Sequence, residues 1–395
     1  MSNLIRKIIN LLGVERSFPG SILGYRLPNK YSGYLNRLGI LLAGNYLIVG
    51  FGFIISVSIA NTLGAEGFGK LAYALAISGF VVANIRYGMD RSLTRDLIHS
   101  PDDFDSILLA SLMVKIAILM VFLGIFLILF LSNVGQELFF AENLFVIFAT
   151  VLVGYGLGAT FDALELQHRH MLIICIEKAI YYSFIGSIIV FAPRLLNLKL
   201  IGCSLLAAGL LSTFLQYRLI LTVRRDVLKN VSWASIFNFA RQILINNKLL
   251  WLTGLASMGL IQANKIILQW HTDYSSLGVF AAAMQVGAIV TLAIKNISRI
   301  GKPVLARRTA PRNSHRKGVG TFVLKYVIFQ AIVAACFAVP LILFPKSLLE
   351  LFFVPEYQKG FQVLRIIGFY VILQAIELIL GQYLNMLKMD KPFLL

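Results

Sequence analysis

The sequence predicts an all-α polytopic membrane protein, about ten transmembrane helices in two bundles of six and then four. Three observations predict it. Of 395 residues, 58% are hydrophobic and 14% charged, where soluble domains run nearer half apolar and a quarter charged. The apolar residues gather into runs of about 20, enough to cross a ~30 Å hydrocarbon core as a helix, and no period-two stretch interrupts them. The cations fall unevenly between alternate loops, as a membrane-spanning topology requires.

Residues 1–38 carry Arg6, Lys7, Arg16, Arg26, Lys30 and Arg37, with Leu4, Ile5, Ile8, Ile9, Leu11 and Leu12 at helical spacing. That pattern fits a short amphipathic helix on an anionic inner leaflet, or a basic tail. The first long apolar run starts near Leu38. It is too long for the apolar core of a signal peptide, so no cleavable leader is expected.

The expected spans are 39–60, 71–92, 107–131, 143–165, 172–193, 198–220, 249–270, 276–298, 320–344 and 361–384. The first two form a hairpin whose turn is expected over 61–70. There Gly64, Gly67 and Gly69 would supply the backbone angles of a tight reversal. Spans 39–220 make the first bundle and 249–395 the second. The basic linker 221–248 contains Val231-Ser232-Trp233-Ala234-Ser235-Ile236-Phe237, which reads as an interfacial helix.

With residue 1 inside, the inner segments hold 26 Lys and Arg and the outer segments 5. This places both termini in the cytoplasm and supports the span count. The net charge of +18 is thus explained without nucleic acid. The densest cluster, Arg307, Arg308, Arg312, Arg316 and Lys317, reads as a loop facing anionic lipid, or as a dock for a phosphorylated head group.

A shift of 209 residues lays Gly69 on Gly278, Ala72 on Ala281, Ala74 on Ala283, Val81 on Val290, Ile85 on Ile294 and Arg86 on Lys295. The same shift lays the first span on the seventh. Two bundles of like orientation, descended from one ancestor, would give that pattern, as in several transporters.

Leu63-Gly64-Ala65-Glu66-Gly67-Phe68-Gly69, then Ala72, Ala74 and Ala76, then Tyr87-Gly88-Met89-Asp90-Arg91, resemble the O-antigen flippases of Wzx type. So do Asn264-Lys265-Ile266-Ile267-Leu268 and Gly278-Val279-Phe280-Ala281-Ala282-Ala283. These flippases belong to the multidrug/oligosaccharidyl-lipid/polysaccharide exporter superfamily. The resemblance implies a multi-pass protein of the bacterial inner membrane. It would move undecaprenyl-pyrophosphate-linked oligosaccharide repeats by alternating access for O-antigen, capsule or exopolysaccharide assembly. Its partners would be the lipid-linked oligosaccharide, the bilayer and other membrane proteins of polysaccharide assembly. The family usually has at least twelve helices, and ten are expected here. Asp390-Lys391-Pro392-Phe393-Leu394-Leu395 resembles the start of an eleventh.

A flippase breaks no covalent bond, so no catalytic residue is expected. It needs polar groups for sugars and a cation for pyrophosphate. Ionisable groups inside a span cost about 2.5–3.5 kcal/mol each on insertion scales. In the seventh span Gln262, Lys265 and Gln269 share one helical face, and Asn264 adjoins it. Lys265 either binds anionic substrate groups or snorkels to the outer interface. Asn45, Asn84 and Arg86 are candidates to receive the head group, with ordinary positive-inside anchoring the leading reading for Arg86. Lys115, Lys178, Lys325 and Arg365 are expected to snorkel. Glu377 is expected to be the most deeply placed carboxylate, a candidate with Asp162 for coupling to a proton or sodium gradient.

No metal or other cofactor is expected. His168 and His170 point to different sides of a helix, and no phosphate-cradling glycine loop occurs. Cys175, Cys203 and Cys336 lie in apolar runs and read as small core residues. A drug/cation antiporter would need an acidic cavity, whereas the intramembrane charges here are mostly basic. A polymerase or acyltransferase would need a large outer loop or a His/carboxylate constellation. Both remain as alternatives.

Overall fold

The structure is a computed structural model. It describes residues 29–89, 103–131, 146–151, 167–223, 232–309 and 319–386, with positions 92–93, 96–97, 100 and 160. The segment expected to be amphipathic before residue 29, most of the fourth span, Asp162 and Asp390–Leu395 lie outside the described residues. So does the side chain of Asn45.

No strand occurs among the described residues. The helices are α1 (Asn29–Arg86), α2 (Phe104–Leu131), α3 (Gln167–Phe191), α4 (Leu198–Val223), α5 (Trp233–Asn246), α6 (Lys248–His271), α7 (Tyr274–Thr309), α8 (Val319–Leu343), α9 (Pro345–Phe352) and α10 (Phe361–Met386). Among the described residues, seven helices are long and apolar enough to cross a membrane. Ten spans were expected, and the difference has physical sources. The first two spans run together in α1, and the fourth lies mostly outside the described residues. α6 has 24 residues, enough to span, but Gln262, Asn264, Lys265 and Gln269 dilute its apolar character.

The ten-residue turn expected at 61–70 is corrected to a single joint. Only Gly64 leaves helical geometry there, at φ 69 and ψ 175, a conformation open mainly to glycine. Gly67 and Gly69 stay helical. What Gly69 supplies is closeness. A Cβ on it would strike the carbonyl oxygen of Tyr274, and a Cβ on Gly278 would strike that of Ala65. Either Cβ would also lie 3.0 Å from the amide nitrogen of the opposite glycine. The two contacts exchange under the same 209-residue shift that aligns the sequence, because Ala65 maps on Tyr274 and Gly69 on Gly278. Small residues at such crossings let backbones meet, where Cα–H groups approach carbonyls. Tyr73 packs edge-on to Tyr274 beside it, ring centroids 6.0 Å apart.

The fold divides into two compact units, one of residues 35–281 and one containing 282–395. In the first, α1 and α3 pack where glycines make room. A Cβ on Gly44 would crowd Met171 and Cys175, and one on Gly52 would lie 2.6 Å from the Tyr182 hydroxyl. α3 packs on α4 through a tight 3-10 connection, Pro193–Leu195. The linker helix α5 packs on α2. Ile236, Ala240 and Ile243 enter a core formed with Met89, Leu93, Leu97, Phe104, Ile107, Leu108, Ala110, Val114 and Ile220. Trp233 and Phe237 of α5 stay exposed, the amphipathic arrangement expected of an interfacial helix.

In the second unit α8 and α10 pack along their length. Gly368 sits against Leu341, Ile342 and the carbonyl of Ala338. The Gln330 amide donates to the Ile294 carbonyl at 3.4 Å. α9 and the 3-10 segment Pro355–Gly360 close the connection between α8 and α10, with Tyr357 fully buried and tilted against Phe353 at 5.2 Å.

One prediction follows from the Gly69/Gly278 crossing. Gly69→Val or Gly278→Val should sharply lower the yield of monodisperse protein by size-exclusion chromatography, since overpacking costs roughly 1–3 kcal/mol or more. Gly254→Ala, where no atom lies within 4 Å, should leave the yield unchanged. Equal yields for all three would refute the tight crossing.

Candidate functional site

The polar stripe of α6 arises from residues three and four apart on an otherwise apolar helix. Gln262 packs against α1 where Gly79 lacks a side chain, and a Cβ there would lie 3.1 Å from its Nε2. Gln262, Lys265 and Gln269 are half-buried, while Asn264 is exposed and stands off the stripe. The Oε1 atoms of Gln262 and Gln269 are buried with no hydrogen-bond partner among the described residues. Unmet acceptors of this kind cost about 1–3 kcal/mol each. The face therefore holds a cation between two glutamines with unmet hydrogen-bonding capacity, a chemistry matched to anionic and hydroxylated ligands.

Asn84 is buried and its amide is occupied. Its Nδ2 donates to the Phe80 carbonyl at 2.9 Å, and its Oδ1 accepts from Trp251 Nε1 at 3.3 Å. Arg86, the last residue of α1, is half-buried. Tyr87 follows at φ 45 and Gly88 at φ 70, so two consecutive left-handed residues end the helix. For tyrosine this conformation is strained by about 1–3 kcal/mol and persists only where its surroundings hold it. Here the ring stacks on Trp251, centroids 5.2 Å apart and 21° from parallel. The hydroxyl donates to the Leu244 carbonyl at 3.2 Å. A Cβ on Gly88 would meet Leu250 and the Trp251 amide within 2.9 Å.

Glu377 is exposed on α10. Its neighbour Gln374 is buried and donates to the Tyr370 hydroxyl at 3.0 Å. Two expectations are corrected. Lys115, expected to snorkel, is only 1% exposed. Cys203 and Cys336 are exposed and Cys175 half-buried. Cys203 and Cys336 stand on outward faces, which in a membrane span are themselves apolar, so an apolar run does not imply a core position.

Sequence reasoning missed Glu177. It pairs with Lys178 at 2.8 Å inside α3, side chains 15% and 31% exposed respectively. The signal was there: adjacent opposite charges in an apolar run can neutralise each other and lower the cost of entering the membrane. It also missed the Tyr87–Trp251 contact, which joins residues too far apart for any local pattern to disclose. Among the described residues no cluster of His, Cys, Asp or Glu fit to hold a metal occurs.

A family profile described as polysaccharide biosynthesis protein matches residues 35–309. The chain belongs to that family. This is the family of Wzx-type polysaccharide flippases and related transporters, in general non-enzymatic. No curated protein matches the chain. The protein is thus a multi-pass membrane transporter of the polysaccharide class. The matched residues include the Gly69/Gly278 crossing, the polar stripe of α6 and the Tyr87–Trp251 contact.

The Glu177–Lys178 pair yields a stability test. Glu177→Gln alone should lower membrane abundance, since a charge left without its partner costs about 1–3 kcal/mol. Adding Lys178→Gln should restore most of it. A double variant no better than the single would show that the pair is not mutually neutralising.

Proposed function

We propose that this transporter is a flippase for undecaprenyl-pyrophosphate-linked oligosaccharide repeat units, carrying them across the bacterial inner membrane by alternating access. The observation that carries the reading is Lys265, half-buried between Gln262 and Gln269, whose carbonyl oxygens lack partners among the described residues. A lysine there attracts pyrophosphate or sugar acid groups as a point charge. The glutamines are placed to take sugar hydroxyls in exchange for lost water. Asn264, Asn45, Asn84 and Arg86 remain candidates for contact with the head group, Asn84 through the amide it already commits to Trp251. Both termini lie in the cytoplasm on this reading, which rests on the cation count of the loops.

The driving force is either a proton or sodium gradient, with Glu377 and Asp162 as candidate carriers, or consumption of the sugar on the far side. A gradient-driven drug antiporter would instead need an acidic binding face.

Complementation tests the function. In a cell lacking its own flippase, the intact chain should restore surface polysaccharide. Lys265→Ala should cut export about tenfold or more, the worth of one desolvated charge-assisted hydrogen bond, and Lys265→Arg should retain part of it. Normal export by Lys265→Ala would remove that residue from the mechanism. Glu377→Gln should abolish any dependence on an imposed pH gradient, and retained dependence would exclude Glu377 as the carrier.

A further inference from the structure

The helix that carries Lys265 is held at its start by features no local sequence pattern discloses. Trp251 stacks on Tyr87 and donates to Asn84 Oδ1. Leu250 and the Trp251 amide close over Gly88. One turn before α6, the Leu244 carbonyl accepts from the Tyr87 hydroxyl. α5, which leads into α6 through the buried Asn247, is keyed into α2 by Ile236, Ala240 and Ile243. Its Ser235 hydroxyl donates to the Ser232 carbonyl, which leaves Ser235 to accept from Ser106 of α2 at 3.2 Å. A loose linker would need none of this. The strained backbone at Tyr87 is the decisive part. Such a conformation relaxes unless its partners stay in place, so the contacts that hold it are persistent ones.

We propose that Asn84, Tyr87, Gly88 and Trp251 form a fixed clasp that docks the start of α6 on the end of α1. α5 seals the clasp, and it stays shut throughout the transport cycle. Trp251 and Tyr87 are then positioning residues for Lys265 and do not themselves meet the substrate. The linker is a brace rather than a hinge. The inference rests on the transport reading only for its last step, because the docking itself can be measured without transport.

The test uses the full chain with Cys175, Cys203 and Cys336 replaced by serine, carrying Ser106→Cys and Ser235→Cys. Mild oxidation should form the 106–235 disulfide, seen as a mobility shift after cleavage between the two sites. The oxidised protein should export polysaccharide at the rate of the reduced one. Absence of the disulfide would overturn the docked geometry. Loss of export on oxidation, restored by reductant, would show that α5 must undock and would overturn the fixed clasp. In parallel, maleimide labelling of a lone Ser235→Cys should quicken roughly tenfold when Trp251→Ala is added, and much less with Trp251→Phe, which keeps a ring on Tyr87. Unchanged labelling with Trp251→Ala would also overturn the clasp. A chain that exports nothing in any form, yet forms the disulfide and labels as expected, would sink the transport reading and leave the docking established.

Discussion

The backbone crossing at Gly69 and Gly278 is the constraint on which the rest depends. Lipid tails are as apolar as leucine, so helices in a bilayer gain little from burying apolar surface against each other. They associate through close packing and polar contact. A carbonyl of each helix here rests where the other would carry its Cβ. No side chain but hydrogen fits at either place. The crossing fixes the second half of α1 against the start of α7. Gln262 of α6, the helix just before it in the chain, packs on α1 over Gly79. Gly79 in α1 and Gly88 just past its end likewise make room, for the Gln262 side chain and for Leu250 and the Trp251 amide. The seam relies on missing side chains, so it can be tight without an apolar driving force.

Much of the architecture was legible in the sequence. The all-helical class follows from run length, and the linker helix from the stretch Val231–Phe237 in a basic loop. The family followed from the first hairpin and the Asn264–Leu268 and Gly278–Ala283 stretches. The 209-residue shift, read from a few small residues, gains a physical meaning in the reciprocal contacts of Ala65 with Gly278 and Tyr274 with Gly69. What was not legible has a common cause. A glycine in a sequence does not say whether it serves φ or closeness. Of the three turn glycines only Gly64 serves φ, and Gly69 serves closeness. Likewise an apolar run does not say which face meets lipid, so the exposure of Cys203 and Cys336 could not be read from it.

The candidate site was legible in part. The i, i+3, i+4 spacing placed Gln262, Lys265 and Gln269 together, and helical geometry alone ensures that. Asn264 adjoins that face, because a one-residue step turns a helix by about 100°, and its side chain is exposed. Asn84 looked free to receive a head group, and its bond to Trp251, 167 positions along the chain, is beyond any pattern. Glu377 was judged by distance from the span ends, which measures depth along the membrane normal. It carries no information on whether the side chain points inward. The Glu177–Lys178 pair shows the reverse lesson: adjacent opposite charges deserve a reading as one neutral group before either is read alone.

These parts combine into one account, in which a seam of glycines holds a cationic, amide-lined helix face that we propose as the receptor for a phosphorylated, sugar-bearing lipid. Translocation in a defined membrane tests it most directly. The purified protein would be reconstituted in liposomes with a fluorescent polyprenyl-pyrophosphate oligosaccharide, and outer-leaflet label would be quenched over time. The account predicts label moving between leaflets at a rate well above protein-free liposomes, slowed when the pyrophosphate is replaced by a neutral linker. Movement no faster than in protein-free liposomes, or equal rates for the charged and neutral lipids, would contradict it.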